Sequence, residues 1–306
     1  MKVLVTGATG FIGSAIARAL LDLGHDVHAT VRAGSDRARV ADFADRIEWI
    51  SADVFDPAAD LDAACRGVEL CVHAAWYAVP GKYLEAPENL ACVQGTLALL
   101  EALAAAGARR VALVGTCFEY DFDYGYLSET TPTRPASLYA AAKIGTRLMS
   151  EQLCRARGVE FCWVRPFYQY GPFEDPRRLV PYVTETLMKG EPANVSRGLQ
   201  VRDFLHVHDV GSAIAAAAAS PLLGIVNIGS GRPVTVRDIV ATIAAILDRT
   251  LLVHFGARPD NPTDPPFICA NNRRLVEGTG WTPRFDLESG LRDTVAWWQH
   301  RHALKA

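Results

Sequence analysis

The order of residues predicts an α/β fold: a doubly wound parallel sheet with a smaller C-terminal α/β region. Three observations carry this expectation. Short β-branched runs alternate with longer helical patterns, a glycine-rich turn stands between the first run and the first helix, and the rhythm stops at Pro166, where prolines, glycines and arginines take over. Parallel strands need crossover connections, and helices usually supply them.

Strands are expected at Lys2 to Thr6, Asp26 to Val31, Ile47 to Ser51, Glu69 to His73, Arg110 to Val114 and Phe161 to Val164. Beyond Pro166, Phe204 to Ala218 and Gly224 to Leu247 again read as strand or loop plus helix that return to the sheet. The expected division is therefore 1–165 with 201–247 for the sheet domain, and 166–200 with 248–306 for the second region. The apolar run Ala213 to Ile228 is broken by Pro221 and Gly224 and is too short for a bilayer, so a core helix and a strand are expected there. Pro259 to Pro266 holds four prolines and reads as an ordered loop over a site or a surface crossover.

A chain of 306 residues, 50% hydrophobic and 21% charged, can bury a large core. Its formal charge of −3 gives no global attraction to nucleic acid or acidic membranes. Neither is an expected partner, and an anionic ligand must be held by local arginines, helix ends and backbone amides. The seven cysteines are odd in number, form no Cys-x-x-Cys pair and have no histidine cluster beside them, which argues against disulfides and a zinc site. No signal-peptide pattern opens the chain, so a soluble cytoplasmic protein with reduced thiols is the expectation.

Thr6-Gly7-Ala8-Thr9-Gly10-Phe11-Ile12-Gly13 follows the first strand and opens a helix. That context turns a glycine pattern into the pyrophosphate site of a Rossmann fold. Gly7 and Gly10 permit a tight turn and close backbone approach, Gly13 lets helix and strand pack, and Thr9, Phe11 and Ile12 belong to the helix N-terminus that faces the phosphates. The residue ending the second strand discriminates between cofactors, because a carboxylate there accepts ribose hydroxyls and repels a 2′-phosphate. Here the strand runs into Arg32, with Arg37 close behind and no acid. NADP(H) is the expected cofactor and NAD(H) the alternative; the other reading of Arg32 is a solvated charge. Asp53 is placed either to reach the adenine amino group or simply to form a turn, and Val54, Ala74, Ala75 and Pro166 complete the expected cofactor set.

Ala136 to Gln152 reads as a helix, which puts Tyr139 and Lys143 one turn apart on one face. A phenol ionises near pH 10, and a neighbouring ammonium favours its charged form, so proton exchange nearer neutrality is expected. Lys143 also offers donors to ribose hydroxyls. Thr116 ends the fifth strand at the carboxyl edge, where such sheets bind ligands, and can hold a carbonyl or carbinol oxygen. Cys117 stands next to it without a histidine near in sequence, which disfavours a thiol nucleophile. His206 and His208 lack a third ligand nearby, so no metal site is expected.

These residues resemble the extended short-chain dehydrogenase/reductase family, in its NDP-sugar epimerase/dehydratase/reductase branch, nearly end to end. The resemblance rests on the turn at Thr6 to Gly13, on Thr116 four positions before Tyr120, and on Tyr139-x-x-x-Lys143. Arg165-Pro166-Phe167 with Tyr170-Gly171-Pro172, Arg202 to Val207 with Asp209-Val210, and Asn227 to Gly231 extend it. It implies that Tyr139 is the acid/base, Lys143 its electrostatic partner and Thr116 the orienter, with hydride passing between a nicotinamide and a sugar carbon. It further implies that Arg202 contacts a nucleotide diphosphate and that Arg258 lies near the nucleotide, as the planar guanidinium fork suits; a buried ion pair is the other reading of Arg202. The stretches around Trp76 and Cys117 resemble the substrate segments of NDP-4-keto-6-deoxysugar C4 reductases.

Departures narrow the reaction. The 4,6-dehydratases carry Asp-Glu directly after the threonine, where this chain has Cys117-Phe118. Fucose-nucleotide epimerase/reductases place a cysteine where Phe118 stands. The asparagine that commonly precedes Tyr-Gly-Pro is replaced within Tyr168-Gln169. The expectation is an NADPH-dependent reductase of an NDP-4-keto-6-deoxysugar. The alternatives are an NAD-dependent nucleotide-sugar epimerase, a dihydroflavonol-reductase-like enzyme for non-nucleotide carbonyls, and a non-catalytic NADP(H) sensor. A homodimer joined through Cys92 to Ala106 and Leu138 to Leu153 is expected by resemblance, and Trp297-Trp298 is assigned to a packed helix.

Overall fold

The structure is a computed structural model that describes residues 1–304. Seven strands form one parallel sheet: β1 Lys2–Thr6, β2 Asp26–Val31, β3 Glu48–Ser51, β4 Leu70–His73, β5 Arg110–Val114, β6 Glu160–Pro166 and β7 Gly224–Ile228. Their order is β7-β6-β5-β4-β1-β2-β3. The chain builds outward from β1 in one direction and then, from β4, in the other, so the winding reverses between β1 and β4. A crevice opens at such a switch point, beyond the carboxyl ends of the strands. Both β4 and β5 are buried over their whole lengths, as continuous apolar runs covered on two faces should be.

The predicted strands all form, with ends shifted by a residue or two. The sixth grows to Glu160–Pro166 because β7 pairs with it as far as Pro166 opposite Ile228. The helix carrying Tyr139 runs Leu138–Arg157; Ser137 starts it by accepting the Ala140 amide at 3.2 Å, and Gly158 ends it in the left-handed conformation. The alanine-rich run becomes helix Val207–Ala219 and strand β7, with Ala213, Ala215, Ala217 and Ala218 fully buried.

Packing departs from the sequence-based division at two places. Helix Val236–Ile246, expected with the sheet, joins a second core with helices Leu179–Met188 and Leu287–Ala303 through Ile239, Val240 and Ile243 against Val180, Val183 and Leu291. Helix Val207–Ala219 covers the sheet beside β6 and β7 in its place. Conversely, Leu275 and Trp281, expected in the second region, pack into the main core. Among the described residues no helix is long and apolar enough to cross a membrane, and all seven cysteines are free and buried.

Candidate active site

The glycine turn has the geometry that a phosphate cradle needs. Gly7 sits at φ +72°, where a Cβ would lie 2.7 Å from the Ala75 nitrogen, and a Cβ on Gly13 would lie 2.0 Å from the Gly7 oxygen. The Gly10 amide donates to that oxygen at 2.9 Å. Helix Phe11–Asp22 then begins with no side-chain cap, so its first amides are free for an anion. The residues present therefore fit a dinucleotide pyrophosphate.

A cleft of about 640 Å³ opens above the turn, lined by Gly7, Thr9 and Gly10, by Arg32, Asp53 and Val54, and by Ala74, Ala75 and Trp76. Phe11 faces a different groove beside Arg18, and Ile12 packs on the main core. Pro166 closes β6 opposite Ile228, outside the cleft lining. Arg32 and Asp53 face one another at 3.8 Å, with 67% and 36% of their side chains exposed. Arg37 is turned away and stacks on Trp49 at 4.6 Å. Two residues missed in the sequence, Ser35 and Arg39, line the cleft instead. Arg39 donates to the Thr9 carbonyl at 3.3 Å and to the Phe173 carbonyl at 3.1 Å, tying the glycine turn to the second region.

The candidate reaction centre lies past the ends of β4 and β5. Thr116 caps a 3₁₀ turn, Cys117–Glu119, in a capping box: its amide donates to Glu119 Oε1 at 2.9 Å, and its hydroxyl accepts the Phe118 amide at 3.2 Å. Glu119 is wholly buried and also takes hydrogen bonds from Trp163 Nε1 at 2.9 Å and Arg165 Nε at 2.8 Å. This network, absent from the sequence-based set, fixes the Thr116 backbone. Its signal was present as Thr-x-x-Glu.

Tyr139 and Lys143 are one helical turn apart, as the spacing predicts. Lys143 Nζ donates to the Val114 carbonyl at 2.7 Å and lies 3.6 Å from the centre of the Trp76 ring but 5.9 Å from that of Tyr139. Trp76 and Tyr83 stand edge-to-face on the phenol ring, at 6.4 and 4.8 Å. Burial lowers the Lys143 pKa to about 7, against the opposing charge of Glu119. Burial also pushes the Tyr139 phenol above its ordinary value, with the Thr116 hydroxyl acting the other way. This corrects the expectation of an eased ionisation: desolvation dominates, and the ammonium is turned away from the phenol toward Val114 and Trp76. The phenol keeps its proton at neutral pH.

His73, also missed, ends β4. Its Nδ1 is 2.7 Å from the Thr6 hydroxyl and its Nε2 2.9 Å from the Thr96 hydroxyl, which joins the two strands at the switch point to helix Glu88–Ala105. Burial, helped by Lys143, lowers its pKa to about 3, so the ring is neutral. A histidine at the end of an apolar strand was the one signal for it.

Burial raises the Cys117 thiol well above its ordinary value, with Asp203 and Glu119 adding to the effect, so no thiolate forms there. Arg202 is 3% exposed and pairs with Asp264. Arg258 is exposed and donates to the Tyr182 hydroxyl at 2.9 Å. Among the described residues no cluster of three potential metal ligands exists. Trp298 is buried, whereas Trp297 is half-buried against Phe173 at 4.5 Å.

A dinucleotide turn at the switch point of a parallel sheet, with Thr, Tyr and Lys gathered at its carboxyl edge, defines an NAD(P)-dependent enzyme of the extended short-chain dehydrogenase/reductase type. Residues 3–229 match the model of the NAD dependent epimerase/dehydratase family, and the chain belongs to that family. It is similar to a UDP-glucose 4-epimerase of Mycolicibacterium smegmatis, 30% identical with 98% of this chain and 99% of the relative covered. It is also similar to a dTDP-glucose 4,6-dehydratase of Streptomyces griseus, 30% identical over 98% of this chain and 94% of the relative. Among solved structures, the UDP-N-acetylglucosamine 4-epimerase of Methanobrevibacter ruminantium, in complex with UDP-N-acetylmuramic acid, superposes with a TM-score of 0.88 at 25% identity over 98% of each chain. The UDP-glucose 4-epimerase of Thermus thermophilus, in complex with NAD, gives 0.82 at 28% identity over 98% of this chain and 99% of that one.

Proposed function

We propose that the chain reduces the 4-keto group of an NDP-4-keto-6-deoxysugar with NADPH. The observation that carries this reading is a reaction centre equipped to give one proton and no more. Thr116 and the protonated Tyr139 adjoin, and directly after Thr116 comes Cys117-Phe118, where a dehydratase has an acid and a base. Phe118 packs on Phe122 at 5.7 Å and on Tyr168 at 6.3 Å. The nearest acid, Glu119, is spent on Arg165 and Trp163.

NADPH, when bound, supplies the hydride for the keto carbon. Thr116 orients the carbonyl oxygen, and Tyr139 gives its proton to the oxygen as it becomes a hydroxyl, so the net change is ketone to secondary alcohol. Proton donation of this kind contributes about 10²- to 10⁴-fold in rate. Lys143 lies one turn on to hold the ribose. Arg32, Ser35 and Arg39, all in the cleft lining, suit a 2′-phosphate, and buried Arg202 suits the substrate diphosphate.

A second reading, an NAD-dependent epimerase, is favoured by one observation: Asp53 faces Arg32, and a carboxylate beside that arginine repels a 2′-phosphate. Absorbance at 340 nm with NDP-4-keto-6-deoxysugars decides between them. Consumption of NADPH over NADH supports the reductase. No consumption, with NAD released on denaturation and sugars interconverted, supports the epimerase.

The two helices named for a dimer, Glu88–Ala105 and Leu138–Arg157, pack on each other and leave Leu90, Leu148 and Met149 exposed. A homodimer burying this face is part of the proposal. Light scattering showing only monomer at micromolar concentration would refute it.

A further inference from the structure

Arg202 is the most deeply buried of the arginines assigned to a ligand, and its charge is already answered from within the chain. One terminal nitrogen donates to the Val201 carbonyl at 2.7 Å, the other to the Asp264 carboxylate, and the guanidinium carbon lies 5.5 Å from the Tyr168 ring centre. The neighbouring carboxylate, Asp203, is directed elsewhere: it accepts from the amides of Ser230 at 2.7 Å, Gly231 at 2.9 Å and Ala270 at 3.1 Å. Asp264 alone therefore balances the guanidinium among the described ion pairs.

Asp264 comes from the proline-rich segment 259–266, which the structure holds at both ends. At the outer end, Asp260 pairs with exposed Arg197 and accepts its amide at 3.1 Å. At the inner end, the Val201 amide donates to the Pro266 carbonyl at 2.8 Å and the Ile268 amide to the Val201 carbonyl at 3.0 Å. Between them is a prefolded turn: Asn261 accepts from the Thr263 hydroxyl at 2.9 Å, and the Asp264 amide donates to the Asn261 carbonyl at 3.1 Å. Four prolines stiffen the segment and its ends are held at Asp260 and Pro266, so movement is confined to the turn 261–264, whose internal hydrogen bonds open with it. The Asp264 side chain is 34% exposed while that of Arg202 is 4% exposed, so water and solutes reach the carboxylate side of the pair.

We propose that Asp264 is a latch: its carboxylate occupies the anion position of Arg202 and is exchanged for the diphosphate of the incoming nucleotide sugar, releasing the turn 261–264. The inference rests on the reading that the substrate carries a nucleoside diphosphate. Physically, a buried guanidinium left alone is costly, so the latch opens only when another anion takes its place. Substrates lacking a diphosphate leave it shut. The latch thus acts as a specificity device, charging every ligand the same competing ion pair and rewarding only those that replace it.

The test is UDP and dTDP binding to the full chain in the presence of NADPH, by calorimetry, with wild type, Asp264→Asn and Arg202→Gln, together with hydrogen exchange of the 259–266 amides. If the latch is closed nine-tenths of the time or more, its removal tightens binding about tenfold or more. Asp264→Asn is therefore expected to bind more tightly than wild type, Arg202→Gln to bind at least tenfold more weakly, and UDP to speed exchange at Asn261, Thr263 and Asp264 in wild type. Unchanged or weaker binding in Asp264→Asn, or unchanged loop exchange on adding UDP, overturns the latch while leaving the nucleotide-sugar reading intact. If neither nucleotide binds wild type or Asp264→Asn, although both still bind NADPH, the nucleotide-sugar reading itself falls and the latch with it. Asp264→Ser, melted beside the wild type, guards against a folding defect peculiar to one variant.

Discussion

Two ion pairs flank the proposed path of cofactor and substrate, and they differ in almost every physical respect. Arg165 and Glu119 are 0% exposed, 2.7 Å apart, and locked to Trp163 and the Thr116 amide. Arg32 and Asp53 stand 3.8 Å apart, the guanidinium mostly in water and the carboxylate about one-third exposed. The buried pair cannot be traded for solvent, so it serves to position Thr116. The exposed pair is worth little to stability and can be remodelled by a ligand phosphate at small cost. Arg202 with Asp264, buried on one side only, lies between these extremes.

The largest effect is expected at the buried centre. Tyr139→Phe should lower kcat by about 10²-fold or more while leaving NADPH affinity unchanged; full turnover in a steady-state assay would remove the phenol from the mechanism. Glu119→Ala strands Arg165 in the core and should cost about 3–5 kcal/mol in denaturant unfolding, with a loss of kcat as Thr116 loses its anchor. A variant as stable as wild type would erase the contrast between the two ion pairs.

A pH dependence follows from His73. The unfolded chain takes up a proton below about 6.5, whereas the native ring does so only near 3. The unfolded state thus binds more protons in that window, and stability should fall as pH drops from 6.5 to 3, with this group adding a slope of at most about 1.4 kcal/mol per pH unit. His73→Asn should flatten the profile by up to one proton; an unchanged slope would show that the ring is not held neutral.

The smallest change in stability belongs to the exposed pair. Arg32→Ala should alter unfolding by about 0.5 kcal/mol or less, yet weaken NADPH binding by roughly tenfold, the scale of one lost charge-assisted contact, while sparing NADH. Equal weakening of both cofactors would remove Arg32 from any role in reading the 2′-phosphate.

Legibility followed the length scale of each interaction. The glycine turn, the strands, and Tyr139 with Lys143 could be read because each depends on spacing along a few residues. Glu119 was readable in principle, as the fourth residue of a Thr-x-x-Glu box, but its partners Trp163 and Arg165 lie more than forty positions away. Arg39 carried no local mark: its contact with Phe173 joins residues 134 positions apart. Arg37, nearer to the second strand and thus the more obvious candidate, is drawn off by the face of Trp49.

The sequence by itself determined the parallel sheet, the glycine-rich turn and the Thr, Tyr and Lys that meet at its edge, because backbone conformation and side-chain periodicity are local properties. Tertiary structure decided what those groups can do. It set the phenol half-buried among Trp76, Tyr83 and Thr116 so that it keeps its proton, turned the Lys143 ammonium onto Val114 and Trp76, and closed Asp264 onto Arg202. Desolvation and charge pairing depend on which distant segments come together, and that is set only when the chain is folded.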